Sequence, residues 1–183
     1  NLTDYSSPKQ VGALTTWLNI ACGYHHTLAT KTDGTLWSWG QNGIGQLGQS
    51  NITYRSSPVQ VGALNDWYQI AAGGAFAFAT KTNGTLWSCG NNAQGALGLN
   101  DVANRSSPVQ IGALTTWYQL AGGSAFSLAT KTDGTLWSWG FNSTGQLGLG
   151  NTVSRSCNTG IGNRRQKHRK DHNGRSGCFG GEN

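Results

Sequence analysis

The chain has 183 residues and a formal net charge of +6, but charged residues make up only 11% of it. With 28 glycines and eight tryptophans, this composition is typical of a turn-rich all-β protein and argues against a helical fold. No apolar run approaches the ~20 residues of a membrane helix, so we expect a soluble chain without a membrane partner. Since it starts at Asn1 and contains no Met, we expect a fragment of a larger protein.

The same ten residues occur three times with a fixed period. KTDGTLWSWG at 31–40 returns as KTNGTLWSCG at 81–90 and as KTDGTLWSWG at 131–140. A period of 40 to 50 residues is typical of propellers and repeat arrays, in which each unit buries its apolar face only against a neighbour. We therefore predict a repeat region over 1–156. Its three 50-residue repeats cover about 5–54, 55–104 and 105–156.

Each repeat contains four short segments with the composition of β-strands. In the second repeat these are residues 57–64, 67–73, 75–81 and 85–90. Asn83-Gly84 lies between the last two, and Asp-Gly replaces it in the other repeats. This pair predicts a two-residue type I′ hairpin turn.

The tryptophans of the third strand indicate how the sheets pack. Trp37 and Trp39 are two residues apart, so they point to one face, and Leu36 and Ser38 point to the other. Wide indole rings can fill the space between neighbouring sheets away from an axis. The small residues at 71–74 suit the crowded inner end, as in a propeller blade.

The stretch IACGYHHTLATKTDGTLWSWGQNGIGQLG at 20–48, followed by RSSPVQVG at 55–62, resembles the regulator of chromosome condensation repeat. The likeness covers about 5–156 in three copies. It implies four-stranded blades of a β-propeller that has seven blades in typical members. We therefore predict an all-β partial propeller of about three four-stranded blades, which further repeats or a second copy would complete.

Candidate catalytic and metal residues are few. His25 and His26 point to opposite faces of a strand, and Cys22 lies about 13 Å along the strand from His26, too far for one tetrahedral ion. No paired carboxylates stand out, and near-identical repeats place the same group at several positions. The glycine-rich loop at 40–48 lacks the lysine of a phosphate loop. We expect no enzyme, metal or cofactor.

Two cysteines interrupt the repeat pattern. Cys22 stands where the other copies have Ala72 and Gly122, and Cys89 stands where they have tryptophan. Neither belongs to a Cys-x-x-Cys pair or to zinc-type spacing. We expect both to be buried free thiols rather than disulfides.

The repeats differ mainly in two adjacent loop segments after the third strand. Loops on a rigid scaffold commonly carry recognition, so we predict a binding surface there, while neutral drift of loop tips stays open as the alternative. The candidate residues are Gln41, Asn42, Ile44, Tyr54, Asn91, Asn92, Gln94, Asn104, Phe141, Asn142 and Thr144.

The segment 157–183 departs from the repeat and carries six Lys or Arg against two acidic residues. It predicts an irregular basic C-terminal tail. Such a run is typical of a disordered, solvated tail, and it could also hold nucleic acid electrostatically. We expect nucleic acid to bind, if at all, only through this tail.

Together these features favour a non-enzymatic propeller module that presents rim loops to a protein partner. Two alternatives stay open. A multivalent carbohydrate binder would use repeated tryptophan and amide side chains. The resemblance also implies a guanine nucleotide exchange factor for a small nuclear GTPase, but that activity would depend on a wedge inserted in one blade, and the 50-residue repeats contain no insertion.

Overall fold

The computed structural model describes residues 6–160, 169–170 and 176–177. Three four-stranded antiparallel sheets follow one another along the chain, each with its strands in sequence order. Their strands are β1 Trp17–Cys22, β2 His26–Lys31, β3 Leu36–Gly40 and β4 Arg55–Gln60; β5 Trp67–Ala72, β6 Phe76–Lys81, β7 Leu86–Gly90 and β8 Arg105–Gln110; and β9 Trp117–Gly122, β10 Phe126–Lys131, β11 Leu136–Gly140 and β12 Arg155–Gly160. We call these sheets blades 1, 2 and 3. They confirm the predicted all-β fold.

The fourth strand of each blade comes from the start of the next sequence repeat. The segment predicted as a strand at 57–64 forms β4 instead, which begins at Arg55, ends at Gln60 and pairs with β3 of the preceding repeat. The linker 61–66 then crosses to the next blade. The first copy of this segment, at residues 6–10, forms no strand.

The turn between the second and third strands differs from the predicted type I′ turn. The Gly34 N–H donates to the Lys31 carbonyl at 3.0 Å, and the Lys31 N–H donates to the Thr35 carbonyl at 3.0 Å, which encloses a three-residue loop. Gly34 has φ of 79°, while Asp33 does not have a positive φ. This geometry is a type I turn followed by a glycine bulge. The Asp33 carboxylate accepts hydrogen bonds from the N–H and hydroxyl of Thr35, which favours this turn over type I′.

Adjacent blades pack through the faces that the strand alternation predicts. Leu36 of blade 1 packs against Trp67 of blade 2 in one buried cluster, and Phe78 of blade 2 packs with Trp139 of blade 3 in another. Trp37 and Trp39 both contact Trp17, which confirms that they share a face. Trp67, Trp117 and Trp139 are buried in blades 2 and 3, whereas the three indoles of blade 1 are half-buried.

The inner strands approach each other closely at their small residues. The Tyr24 N–H donates to the Gly74 carbonyl at 3.0 Å between blades 1 and 2, and the Gly74 N–H donates to Gly123 and Ser124 between blades 2 and 3. A Cβ atom on Gly122 would lie 2.3 Å from the Ala72 carbonyl oxygen. Small residues are therefore required at this end of the interface.

Each blade also holds a lysine against two indole rings. The Lys31 ammonium lies 3.6 Å from the Trp37 ring centroid and 5.0 Å from the Trp17 centroid. Lys81 and Lys131 repeat the arrangement in blades 2 and 3. Cation–π contacts of this kind stabilise by about 0.5–2 kcal/mol, more when desolvated.

The two cysteines behave differently. Cys89 is a buried free thiol, as predicted, but Cys22 is exposed. The burial prediction fails for Cys22 because its side chain lies on the face of blade 1 that points away from blade 2. Burial raises the pKa of the Cys89 thiol to about 12, so this thiol stays protonated at neutral pH.

The predicted tail at 157–183 begins inside a strand, since residues 157–160 belong to β12. Two short strands, β13 Arg169–Lys170 and β14 Ser176–Gly177, pair with each other. The rest of the tail lies outside the described residues. Within the described part of the chain, no helix is long and apolar enough to cross a membrane.

Candidate functional site

The candidate binding residues lie in three equivalent loops at one end of the blades. Loops 41–54, 91–104 and 141–154 connect the third and fourth strands of blades 1, 2 and 3. The Gln41 N–H donates to the His25 carbonyl at 2.7 Å, which joins the loop to the short turn between β1 and β2. The three loops and turns at this end form what we call the loop rim.

One buried asparagine organises each loop. The side-chain oxygen Oδ1 of Asn42 accepts a hydrogen bond from the Leu47 N–H at 3.0 Å, and its side-chain nitrogen Nδ2 donates to the Asn51 and Thr53 carbonyls at 2.9 and 3.1 Å. These bonds tie both halves of the loop together. We call this residue the loop clamp.

Asn142 makes the corresponding three bonds in blade 3, and Asn92 in blade 2 accepts from the Leu97 N–H and donates to the carbonyl and the carboxylate of Asp101. All three clamp residues have 0% of their surface exposed. A partner at the rim cannot contact their side chains without opening the loop. The clamps therefore shape the predicted surface from inside, and their identity in all three repeats is the sequence signal for that role.

The other candidates lie nearer the surface. Tyr54 is 61% exposed, and its hydroxyl lies 3.4 Å from the Gln41 amide nitrogen. Asn104 is exposed while its side-chain oxygen accepts the Asn92 N–H at 2.8 Å. Ile44 is half-buried. These residues can present parts of their side chains to a partner.

In blades 2 and 3 the candidates are of two kinds. Gln94 and Thr144 are exposed, and Asn91 and Phe141 are half-buried. The Thr144 hydroxyl is held by the Gln146 side chain at 2.8 Å. The structure thus brings eight of the eleven candidates to the rim with accessible surface, and it buries the three clamps.

Three apolar loop tips are missing from the predicted set. Ile52 is 63% exposed, Val153 is 47% exposed and Val102 is 39% exposed. All three lie in the second, variable part of their loops. The signal in the sequence was an apolar residue inside a segment otherwise composed of polar and small residues.

The rim offers binding groups rather than paired acids and bases. Among the described residues, no three His, Cys, Asp or Glu side chains gather as metal ligands. One titratable group with a shifted pKa, His26, is buried beneath the rim. Burial lowers the pKa of His26 to about 4, so it is neutral at physiological pH. The exposed apolar tips and amides fit contact with another macromolecule.

Comparison with family models identifies the repeat. The model described as "Regulator of chromosome condensation (RCC1) repeat" matches residues 33–80, 83–130 and 133–165. A second model of the same repeat matches 17–46, 67–96 and 117–146. These matches confirm the resemblance inferred from the sequence.

Similar solved structures have the same fold. Prp20p from Saccharomyces cerevisiae, described with its binding properties to Gsp1p and histones, gives a TM-score of 0.73 at 27% identity, covering 85% of this chain and 41% of that chain. Yeast RCC1 (Prp20) bound to Kap60 gives 0.72 at 26% identity, covering 85% and 39%. Human WBSCR16 gives 0.71 at 23% identity, covering 80% and 38%, which supports the fold alone.

The RCC2 homolog protein of Danio rerio is 54% identical over 33 residues, which are 18% of this chain and 7% of that protein. This chain therefore spans about two fifths of the solved propellers and matches a small part of the curated relative. The fold is that of propeller blades.

Proposed function

The chain belongs to the regulator of chromosome condensation (RCC1) repeat family, and from that premise we propose that it is a non-enzymatic module whose loop rim binds a protein partner. We also propose that the chain is part of a larger repeat protein. Solved relatives of 26–27% identity are described with Gsp1p, histones and Kap60, so protein binding is known for similar blades.

The observation that carries the proposal is the pairing of rigid loops with exposed apolar tips. The loop clamps hold the backbone in place, while Ile52, Val102 and Val153 remain exposed at the ends. Ordered apolar groups surrounded by amides lose little conformational entropy on binding and bury surface that favours association. Tyr54 adds an aromatic residue of the type enriched at binding hot spots.

The packing does not favour the carbohydrate alternative. A sugar-binding site of the predicted kind would need indole faces at the rim, but Trp17 and Trp37 enclose Lys31 inside blade 1. The amides of the loop clamps are buried as well. We therefore place the protein-binding function first.

The exchange-factor alternative has a direct test of its own. The chain would accelerate nucleotide release from Gsp1p if it had that activity, and the proposed binding module would not. Release of a fluorescent guanine nucleotide from purified Gsp1p, with and without the chain, separates the two.

The proposal is tested by photo-crosslinking from defined positions. A photoreactive amino acid is placed at 52 or 102 on the rim, or at 64 as the control. Leu64 is 48% exposed but lies in the linker at the opposite end of the blades. Purified histones and Gsp1p serve as the first probes, followed by a cell extract whose crosslinked proteins are identified and then purified.

We expect one purified protein to crosslink at 52 and 102 and not at 64. Its affinity for the chain should fall about tenfold in Ile52→Ser, which corresponds to about 1.4 kcal/mol, and should be unchanged in Leu64→Ser. Crosslinking confined to position 64, or affinity that Ile52→Ser and Val102→Ser leave unchanged, would contradict a rim interface.

A further inference from the structure

A cleft of about 270 Å³ lies at the junction between blades 1 and 2. We call it the junction cleft. Residues 48–50 of the blade 1 loop line one side of it, and the apolar part of its lining comes from Val61, Leu64, Trp67, Trp87 and Pro108. The two blades around it are neighbours within the chain, so the cleft does not arise at a chain end. Concave sites lined by aromatic and aliphatic side chains are the usual binding places for apolar groups.

The linker 61–66 forms one wall of the cleft and is held by the turn between β2 and β3. The Trp67 N–H donates to the Gly34 carbonyl in this turn at 3.1 Å. A Cβ on Gly34 would lie 2.0 Å from the Asn65 carbonyl oxygen, so the turn packs directly on the linker. Leu64 lines the cleft and is 48% exposed. The linker therefore presents an accessible apolar side chain from an ordered backbone.

Two carboxylates flank Leu64 on this surface. Asp33 is exposed in the turn that packs on the linker, and Asp66 follows Leu64 by two residues. Hydrogen bonds from the Thr35 side chain and backbone lower the pKa of Asp33, so its carboxylate is ionised at neutral pH. The side chain of Asp66 is 39% exposed, whereas that of its ion-pair partner Lys81 is 9% exposed. The accessible charge beside the cleft is therefore negative.

The junction between blades 2 and 3 is an uncharged counterpart of the same surface. Leu114 corresponds to Leu64 and is 42% exposed. The linker after β8 is joined to the turn of blade 2 by the equivalent hydrogen bond, at 3.2 Å. Asn83 and Thr116 stand in the positions of the two carboxylates. The two junctions thus present the same leucine in different electrostatic surroundings.

We propose that the junction cleft binds a protein partner through an apolar side chain that enters the cleft and a neighbouring lysine or arginine that approaches Asp33 and Asp66. An apolar anchor in a pocket commonly dominates a protein interface, and a cation on the partner complements the accessible carboxylates. The same carboxylates repel nucleic acid and anionic lipid. Because Leu64 lies at the end of the blades opposite the rim tips, this is a second interaction surface, independent of the rim interface.

A short fluorescent peptide of lysine, phenylalanine and serine tests the proposal on the whole chain by anisotropy. Two control peptides have the same length: glutamate replaces lysine in one, and serine replaces phenylalanine in the other. We expect the first peptide to bind at least about tenfold more tightly than either control. Its affinity should fall several-fold when the salt concentration rises from about 0.05 to about 0.5 M.

Variants at the two junctions locate the site. Leu64→Ser should lower the peptide affinity about tenfold and Asp33→Asn about threefold. Asn83 makes the same hydrogen bonds to its threonine as Asp33 does, so Asp33→Asn keeps the turn. The matched control Leu114→Ser should leave the affinity within about twofold of wild type. Near-ultraviolet circular dichroism checks that each variant keeps its tryptophan packing.

The rim variant Val102→Ser should leave the peptide affinity unchanged, so this proposal and the rim interface can each fail without the other. A photoreactive amino acid at 64 should crosslink to the peptide, and one at 102 should not. Equal losses in Leu64→Ser and Leu114→Ser would overturn the proposal, as would binding of the glutamate peptide with equal affinity or no binding at about 1 mM peptide. Crosslinking from 64 to residues 161–183 of the same chain would also overturn it, because the occupant would then be the basic tail.

Discussion

The interface between blades 1 and 2 and the interface between blades 2 and 3 come from nearly the same sequence, yet they differ at their centres. Trp139 of blade 3 is 1% exposed, and its ring packs edge-on against Phe78 with centroids 6.2 Å apart. Cys89 and Leu28 hold these two positions between blades 1 and 2. The Cys89 sulfur lies 3.8 Å from the Gln46 carbonyl.

The smaller pair leaves a gap. A cavity of about 20 Å³ is lined by residues of both blades, including Leu28, Leu47 and Cys89. Empty apolar space costs stability because the surrounding atoms lose their contacts. Nearly identical repeats therefore need not form equally stable interfaces, since one or two central residues decide the packing.

The largest expected effect on stability comes from giving the interface between blades 2 and 3 the cysteine that blade 2 has at the interface between blades 1 and 2. Trp139→Cys should lower the free energy of unfolding by about 3–5 kcal/mol, because it removes a buried indole and leaves the Ala96 carbonyl without this donor. Urea unfolding followed by circular dichroism measures the change. The matched variant Cys89→Ala should cost less than about 1 kcal/mol. Equal effects at the two positions would mean that the interfaces are energetically alike.

A second difference is the neutral histidine between blades 1 and 2. His26 is 3% exposed and stands where blades 2 and 3 have Phe76 and Phe126. Burial is the main cause that lowers its pKa to about 4; an interaction with the Phe76 backbone offsets part of this shift, and the neighbouring charge of His25 lowers the pKa further.

Acid should therefore weaken this interface. Below pH 6.5 the unfolded chain binds a proton at His26 that the folded chain rejects until about pH 4, so stability falls across that window by about 3 kcal/mol. The variant His26→Phe removes this loss. The free energy of unfolding of the wild type and of His26→Phe is measured between pH 4 and 7.5. The difference between the two pH curves gives the contribution of His26. Parallel curves would show that His26 does not titrate in this way.

Filling the gap should have a smaller effect of opposite sign. Cys89→Trp is expected to raise the free energy of unfolding by about 1 kcal/mol. Gly48 leaves the same room beside residue 89 that Gly98 leaves beside Trp139, and the Gln46 carbonyl can accept the indole N–H as Ala96 does. Thermal unfolding compares it with wild type. A lower midpoint would show that the blades have closed around the thiol and that the indole overpacks them.

The smallest expected effect on stability comes from an ion pair between the linker 61–66 and β6 of blade 2. The Lys81 ammonium lies 3.3 Å from the Asp66 carboxylate, whose equivalents are Thr16 and Thr116. Asp66→Asn should cost less than about 1 kcal/mol, because the carboxylate is partly exposed and Lys81 keeps both indole rings. The loss should disappear in high salt. A larger, salt-independent loss would assign Asp66 a packing role instead.

The repeat spacing was sufficient to predict the blades, because the apolar alternation and the Asp-Gly or Asn-Gly corner recur in every copy. It was not sufficient to place the fourth strand, since the composition of residues 57–64 is equally compatible with a strand in the sheet of its own repeat and with one in the preceding sheet. The type I′ turn was wrong because the Asp33 side chain bonds to Thr35, a local competition that the residue pair alone does not reveal.

The candidate surface was harder to define from the sequence than the fold. Variation between repeats located the rim loops, but it did not separate a buried amide such as Asn42 from an exposed one such as Gln94. Constancy was the missing criterion, because the clamps are identical in all copies. Apolar tips such as Ile52 were not singled out because variation marks a whole loop segment and does not show which of its side chains are exposed.

The loop clamp has a consequence for how such a surface can evolve. Because Asn42 satisfies the backbone of both loop halves from within and Asn51 holds the turn before the tip, folding places few demands on the side chains at 52 and 53. New tip sequences can therefore be sampled in one blade while the scaffold and the other two loops stay as they are. A duplicated blade thus supplies a spare loop tip that can diverge without first being made stable.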